Sequence, residues 1–173
     1  VTVLMIDAKV FKAKEDEANT LLTNSKFKEA AVIYKEMLKL APNEAVVWGN
    51  LAKAEAGMMD HQGALEAVTK AAELNPKEFG SLKVQIATWV NFDDGLHALQ
   101  SKDYPKAIKL LTEALKAQPE NSDGYYNLAL AYGHQRKYDE ALKNINEALK
   151  LKPNEKAYLE VKRILEINAK GDN

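Results

Sequence analysis

The sequence predicts an all-α protein made by stacking antiparallel helix pairs, and three observations carry that reading. Prolines stand 34 residues apart twice, at Pro42 and Pro76 and again at Pro119 and Pro153. Before each of them, apolar residues recur three and four positions apart in two runs joined by a short polar link, the spacing of two amphipathic helices. Small residues keep fixed places in the second run: Ala30, Ala64, Ala107 and Ala141 align, and so do Ala71, Ala114 and Ala148, with Met37 in the first copy. A helix pair with one apolar stripe per helix cannot bury it alone, so the pairs must stack, and the proline ends each unit because it cannot continue a helix.

Taken in order, Asp7 to Thr23 reads as the first helix, with Val10, Ala18, Leu21 and Leu22 on or near its inner side and Lys12, Lys14, Glu15 and Asp16 outward. Asn24-Ser25-Lys26 is its turn and Phe27 to Leu40 its partner. Asn43 is a candidate cap for the next helix, because an asparagine side chain accepts a hydrogen bond from a free backbone N–H. Glu44 to Gly57 and His61 to Leu74 form the second pair. Its link, Gly57-Met58-Met59-Asp60, is more apolar than a solvated turn needs, which predicts cover for those methionines.

The interval from Pro76 to Pro119 is 43 residues, nine more than the period. Nine residues make two and a half turns, roughly 13 Å of helix. The excess is either one over-long helix or an extra short segment, and the first is favoured: a break at Phe79-Gly80-Ser81, then a helix from Leu82 to about Ser101 capped by Ser81. Its apolar residues, among them Val84, Ile86, Trp89, Val90, Phe92 and Leu96, cover more than one face, so both faces need partners.

From there the pattern is regular. Asp103 is a plausible cap with Pro105 in the first turn, where its missing N–H is harmless, and that helix runs to about Ala117. Tyr125, Leu128 and Tyr132 mark the next helix; Tyr138, Ala141, Ile145, Ala148 and Leu151 mark its partner. Asn154 starts a last helix to about Ala169, apolar at Ala157, Tyr158, Val161, Ile164 and Leu165, as a stack needs to close its final apolar face.

The stretch Tyr125 to Pro153 resembles a tetratricopeptide repeat. The family's pattern of aromatic, Leu-Gly, Tyr, Ala, large apolar residue, Ala and Pro is filled throughout except that Ala129 replaces the glycine. Glu55 is a second departure, standing where the family usually has tyrosine. The resemblance implies a right-handed superhelix of four repeats, at about 7–42, 43–76, 77–119 with its nine-residue insertion, and 120–153. A capping helix follows at about 154–170, and residues 1–173 make a single domain. It also implies a concave groove, lined by the first helix of each repeat, that holds an extended peptide or a partner's helix. The residues this register places there are Asn19, Leu22, Asn50, Lys53, Trp89, Phe92, Asp93, Leu96, Tyr126, Asn127, Leu130 and His134. Asparagine suits such a surface because its amide both donates to and accepts from a peptide backbone. Asn19 and Asn50 match the two asparagines of the family's carboxylate clamp, but Glu15, Trp89 and Asp93 stand where that clamp needs Lys and Arg.

Charge and composition narrow the partner. With 24 basic and 25 acidic residues the net charge is -1, which offers no general attraction for nucleic acid or an anionic membrane. No apolar run reaches the roughly 20 residues that cross a bilayer. The chain reads as soluble, with the cytoplasm favoured, although the absence of cysteine leaves the redox compartment open. The opening Val1 to Ile6 is apolar but short for a signal sequence, and the missing initiator methionine suggests a truncated or processed start.

Nothing marks an enzyme. His61, His97 and His134 fall at three different places in their repeats and point to no shared metal, and the four serines lack a Gly-x-Ser-x-Gly setting. There is no glycine-rich phosphate loop, and acidic pairs such as Asp93-Asp94 and Asp139-Glu140 are ordinary on a solvated helix face. No catalytic residue, metal or cofactor is expected. The expected function is a non-catalytic scaffold that binds a protein or peptide. The alternatives are a homo-oligomeric scaffold joined through residues 79–90 and the apolar N-terminus, or the tethering module of a larger chain.

Overall fold

A computed structural model describes residues 7–171, and those residues form nine helices and no strand. The apolar opening Val1–Ile6 lies outside the described residues. Four of the helices are α1 (Ala8–Thr23), α2 (Phe27–Leu40), α3 (Ala45–Gly57) and α4 (His61–Leu74). A long α5 (Pro76–Gln100) follows, and then α6 (Tyr104–Ala117), α7 (Ser122–His134), α8 (Tyr138–Leu151) and α9 (Lys156–Gly171). No helix among the described residues is long and apolar enough to cross a membrane.

The chain divides into two compact units, one ending at Ile86 and the other beginning at Ala87, with the boundary inside α5. In the N-terminal unit α1 pairs with α2, α3 with α4, and α2 packs against α3. In the C-terminal unit α7 pairs with α8, α6 packs on α7, and α9 lies against α8. The same register places are sealed in both. Ala30, Ala64, Ala107 and Ala141 are fully buried, and so are Tyr34, Val68, Leu111 and Ile145, each four residues further along the second helix of its pair. An alanine, then a large side chain one turn on, lets the partner helix approach closely at one level and fills the space at the next. The stripe stops short of the helix end: Leu151 is exposed, as are its equivalents Leu40 and Leu74.

Each pair turns in the same way. Ser25, Met59, Lys102 and Arg136 all adopt left-handed backbone, with φ between 59° and 62°. In the second pair Asp60 N–H donates to the Glu55 carbonyl and Met59 N–H to that of Ala56, closing the last turn of α3. The backbone geometry, not side-chain cover, sets this turn, so Met58 and Met59 are exposed where cover was expected. An L-residue in this region is strained by roughly 1–2 kcal/mol, and Met59 packs on little that would be lost. Met59→Gly is therefore expected to raise stability by about 0.5–1 kcal/mol in urea denaturation, whereas Met58→Gly, at φ -88°, should lower it.

Two helix starts differ from expectation. Asn43 caps nothing: Glu44 occupies the cap of α3 without a side-chain hydrogen bond. The long helix is continuous and starts at Pro76, with no break at Phe79-Gly80-Ser81 and no cap at Ser81. The reason is local. Asn75 Oδ1 accepts from Glu78 N–H at 3.2 Å while Asn75 Nδ2 donates to Glu78 Oε2 at 2.8 Å, a reciprocal cap that nucleates the helix with Pro76 in its first turn. Phe79, Ile86 and Val90 are buried, and of the expected insertion residues Val84 alone stands more than half exposed.

Candidate functional site

Among the twelve residues placed on the partner-binding face, the structure forms two separate groups, one in each unit. In the N-terminal unit Asn19 on α1 and Asn50 on α3 are hydrogen-bonded to each other, Asn50 Nδ2 donating to Asn19 Oδ1 at 3.1 Å. The same oxygen accepts the Tyr34 hydroxyl at 2.6 Å, and Lys53 Nζ lies 3.5 Å from Asn50 Oδ1. Asn19 thus spends its acceptor on the fold. Burial, and secondarily the nearby Glu15 carboxylate, pushes the Tyr34 phenol up to about 12. Leu22 is half-buried on α1 and takes no part in this network.

In the C-terminal unit Phe92 and Leu96 from α5 and Tyr126 and Asn127 from α7 line one open cleft of about 420 Å³. Its remaining walls are Asp123, Glu155, Ala157 and Tyr158. Phe92 and Leu96 also pack on the core formed by Leu111, Leu115 and Leu128, so their backbone positions are held from behind. The Tyr126 and Tyr158 rings stack with centroids 5.0 Å apart. Tyr158 is buried, its hydroxyl donates to the Asp123 carboxylate, and it lies 3.2 Å from Ser122 Oγ. Burial and then the Asp123 hydrogen bond raise the Tyr158 phenol above its ordinary value. Lys152 stands 3.5 Å from the same carboxylate. Asn127 Nδ2 donates back to the Asp123 carbonyl at 2.7 Å, which aligns the side chain and leaves its oxygen as an acceptor.

The other expected residues lie elsewhere. Trp89, Asp93 and Leu130 are half-buried and do not line that cleft. Asp93 lies 3.6 Å from His97 on its own helix. His134 sits two turns beyond Asn127, stacked on Tyr104 with centroids 4.9 Å apart and planes 9° from parallel. Sequence reasoning missed Asp123, Glu155 and Tyr158. The available signal was Tyr158 itself, a phenol on the inward stripe of the last helix, because a buried tyrosine hydroxyl needs a partner.

This cleft offers aromatic and aliphatic walls with an amide and carboxylates at its rim.

The tetratricopeptide repeat family model matches residues 92–156. No curated protein matches the sequence. Among solved structures, "MamA AMB-1 P212121" is 19% identical with a TM-score of 0.59, over 96% of this chain and 87% of that one. "Crystal structure of MamA protein" is 19% identical with a TM-score of 0.55, over 94% and 84%. "MamA 41-end from Desulfovibrio magneticus RS-1" is 22% identical with a TM-score of 0.53, over 93% and 88%. At these identities the likeness is one of fold. The described residues form an all-α fold of the tetratricopeptide-repeat type, and the family's own sequence pattern is matched over residues 92–156.

Proposed function

We propose that the protein is a non-catalytic scaffold that holds an extended peptide or a helix of a protein partner, with the cleft of the C-terminal unit as the principal contact. The repeat fold supports a protein-interaction scaffold in general. The observation that carries the finer reading is the convergence of Phe92, Leu96, Tyr126 and Asn127, from two different helices, on one cleft. Apolar walls at fixed positions supply the buried area that anchors a partner side chain, and the Asn127 carbonyl supplies an acceptor for a backbone N–H. The acids at the rim, Asp123 and Glu155, favour a partner segment with basic residues flanking its apolar anchor.

The reading is tested with peptides selected from a random library against the whole chain, measured by calorimetry. Leu96→Asp is expected to weaken the selected peptides at least about tenfold, equivalent to about 1.4 kcal/mol, and Asn127→Asp to weaken them less. Helical content should stay constant in both variants. Peptides that bind both variants as they bind the parent would place the contact elsewhere and remove the proposal.

A further inference from the structure

A different feature of the N-terminal unit is unused by this reading. Glu55, on α3, is 3% exposed, a burial that carboxylates seldom reach without full pairing. Lys35 Nζ, reaching in from α2 with a half-exposed side chain, lies 2.9 Å from Glu55 Oε1. Glu55 Oε2 is buried and has no hydrogen-bond partner. A carboxylate oxygen removed from water and left unpaired is costly, which makes it a place that gains from an added donor.

The register explains how the carboxylate came to be there. Glu55 occupies the place that Tyr132 holds in the C-terminal unit, where the ring packs on two apolar clusters. A glutamate fills less of that space, and beside it the chain opens a cleft of about 540 Å³ between α2, α3 and α4. Gly63 belongs to the same arrangement: a Cβ on it would come 2.9 Å from Glu55 Cδ, so the carboxylate rests against the bare backbone of α4. Leu38, Leu51, Trp48 and Ala67 supply apolar wall. Trp48 is anchored by its indole N–H, which donates to the Pro42 carbonyl at 2.8 Å. Asp60 and Glu66 add negative charge, so three acids face the two lysines, Lys35 and Lys39.

We infer that this cleft is a binding site for a guanidinium group carried on a short aliphatic arm, its N–H donating to the Glu55 carboxylate. A cation meets a net negative lining, and its arm meets the apolar wall beside Trp48. Guanidinium fits better than ammonium because it is less strongly hydrated, and its planar face can lie on an indole. The group arrives either on a free small molecule or as an arginine side chain of a protein; the chemistry is the same. None of the twelve residues of the expected peptide-binding face lines this cleft, so the site is independent of the function proposed above.

The test is an NMR titration of the isotopically labelled chain with n-butylguanidinium and, separately, with its neutral analogue n-butylurea. Saturating shifts are expected at the Lys35, Gly63 and Glu66 amides and the Trp48 indole, with a Kd of about 1 mM, the strength a fragment of this size reaches. The urea should bind at least about tenfold more weakly. N-acetyl-arginine methylamide binding as well as the fragment assigns the site to a protein side chain; binding of the fragment alone assigns it to a small molecule. Glu55→Gln should abolish the shifts. Lys35→Met frees the second carboxylate oxygen for a two-pronged contact and should tighten binding several-fold, which keeps the test decisive if Glu55→Gln does not fold. A flat guanidinium titration up to about 50 mM, equal binding of the urea, or an unchanged or weakened Lys35→Met overturns the inference.

Discussion

Raising the pH from 9 to 11.5 is expected to cost the parent protein about 2 kcal/mol more stability than it costs Tyr34→Phe, out of a limit near 3 kcal/mol. Tyr34 is fully buried, and its phenol, donating to Asn19 Oδ1 at 2.6 Å, is pushed up to about 12. The unfolded chain releases that proton near pH 10. The folded state therefore holds a proton that the unfolded state loses, and the resulting stability is complete below pH 10. It drains away as the pH rises toward the folded value. Phenylalanine at position 34 has no proton to lose, and every other tyrosine and lysine cancels in the comparison. Urea midpoints of the two proteins at a series of pH values read the difference directly. Parallel pH profiles would mean that the Tyr34 hydroxyl meets water and that the Asn19–Tyr34–Asn50 network does not hold.

Replacing Gly49 by alanine is expected to destabilise the N-terminal unit by about 2 kcal/mol, against the ordinary preference. Within a helix, glycine to alanine usually gains about 1 kcal/mol through backbone entropy. Gly49 lies inside α3, and a Cβ placed there would stand 2.3 Å from one carbon of the Phe79 ring and 2.8 Å from the next. The ring has nowhere to go. Phe79 is 6% exposed and packs with Ala71, Ala72, Trp48 and Leu82, so moving it opens one contact while relieving another. A rise in the melting temperature of Gly49→Ala would show that the ring yields. Phe79→Ala in the Gly49→Ala background offers a second check: part of the penalty should disappear, since two residues in contact do not add independently.

The repeat architecture was legible in the residues themselves. Period, proline spacing and the aligned alanines are properties of covalent order, and stacking requires nothing else to be specified: a small residue at Ala64 or Ala141 admits the neighbouring helix whatever that neighbour's details. Asp103 as a cap followed from the same local chemistry, its carboxylate accepting Lys106 N–H at 3.2 Å. The favoured long helix after the second repeat is present, but its start was misplaced because Gly80 and Ser81 read as a break. The reciprocal Asn75–Glu78 cap and the burial of Phe79 against Gly49 outweigh one glycine's propensity. The methionines at the second turn misled for a related reason: hydrophobicity suggested cover, while the left-handed backbone at Met59 turns the chain without it.

Sites depend on which side chains meet, and that was settled only by tertiary packing. Register placed Phe92, Leu96, Tyr126 and Asn127 on one expected surface, but only the approach of α5, α7 and α9 decides that they share a cleft with Tyr158, which lies 66 positions after the first of them. Asn19 and Asn50 looked equally available to a peptide, until the crossing of α1 and α3 joined them through a single carbonyl oxygen. Glu55 was visible as a departure from the repeat pattern, yet its burial, its pairing with Lys35 and its unpaired oxygen arise from three helices closing around it. Periodicity follows from steric and hydrophobic preferences that each residue carries with it; a hydrogen bond between side chains 31 residues apart depends on distances set by the packing of the unit to which both belong.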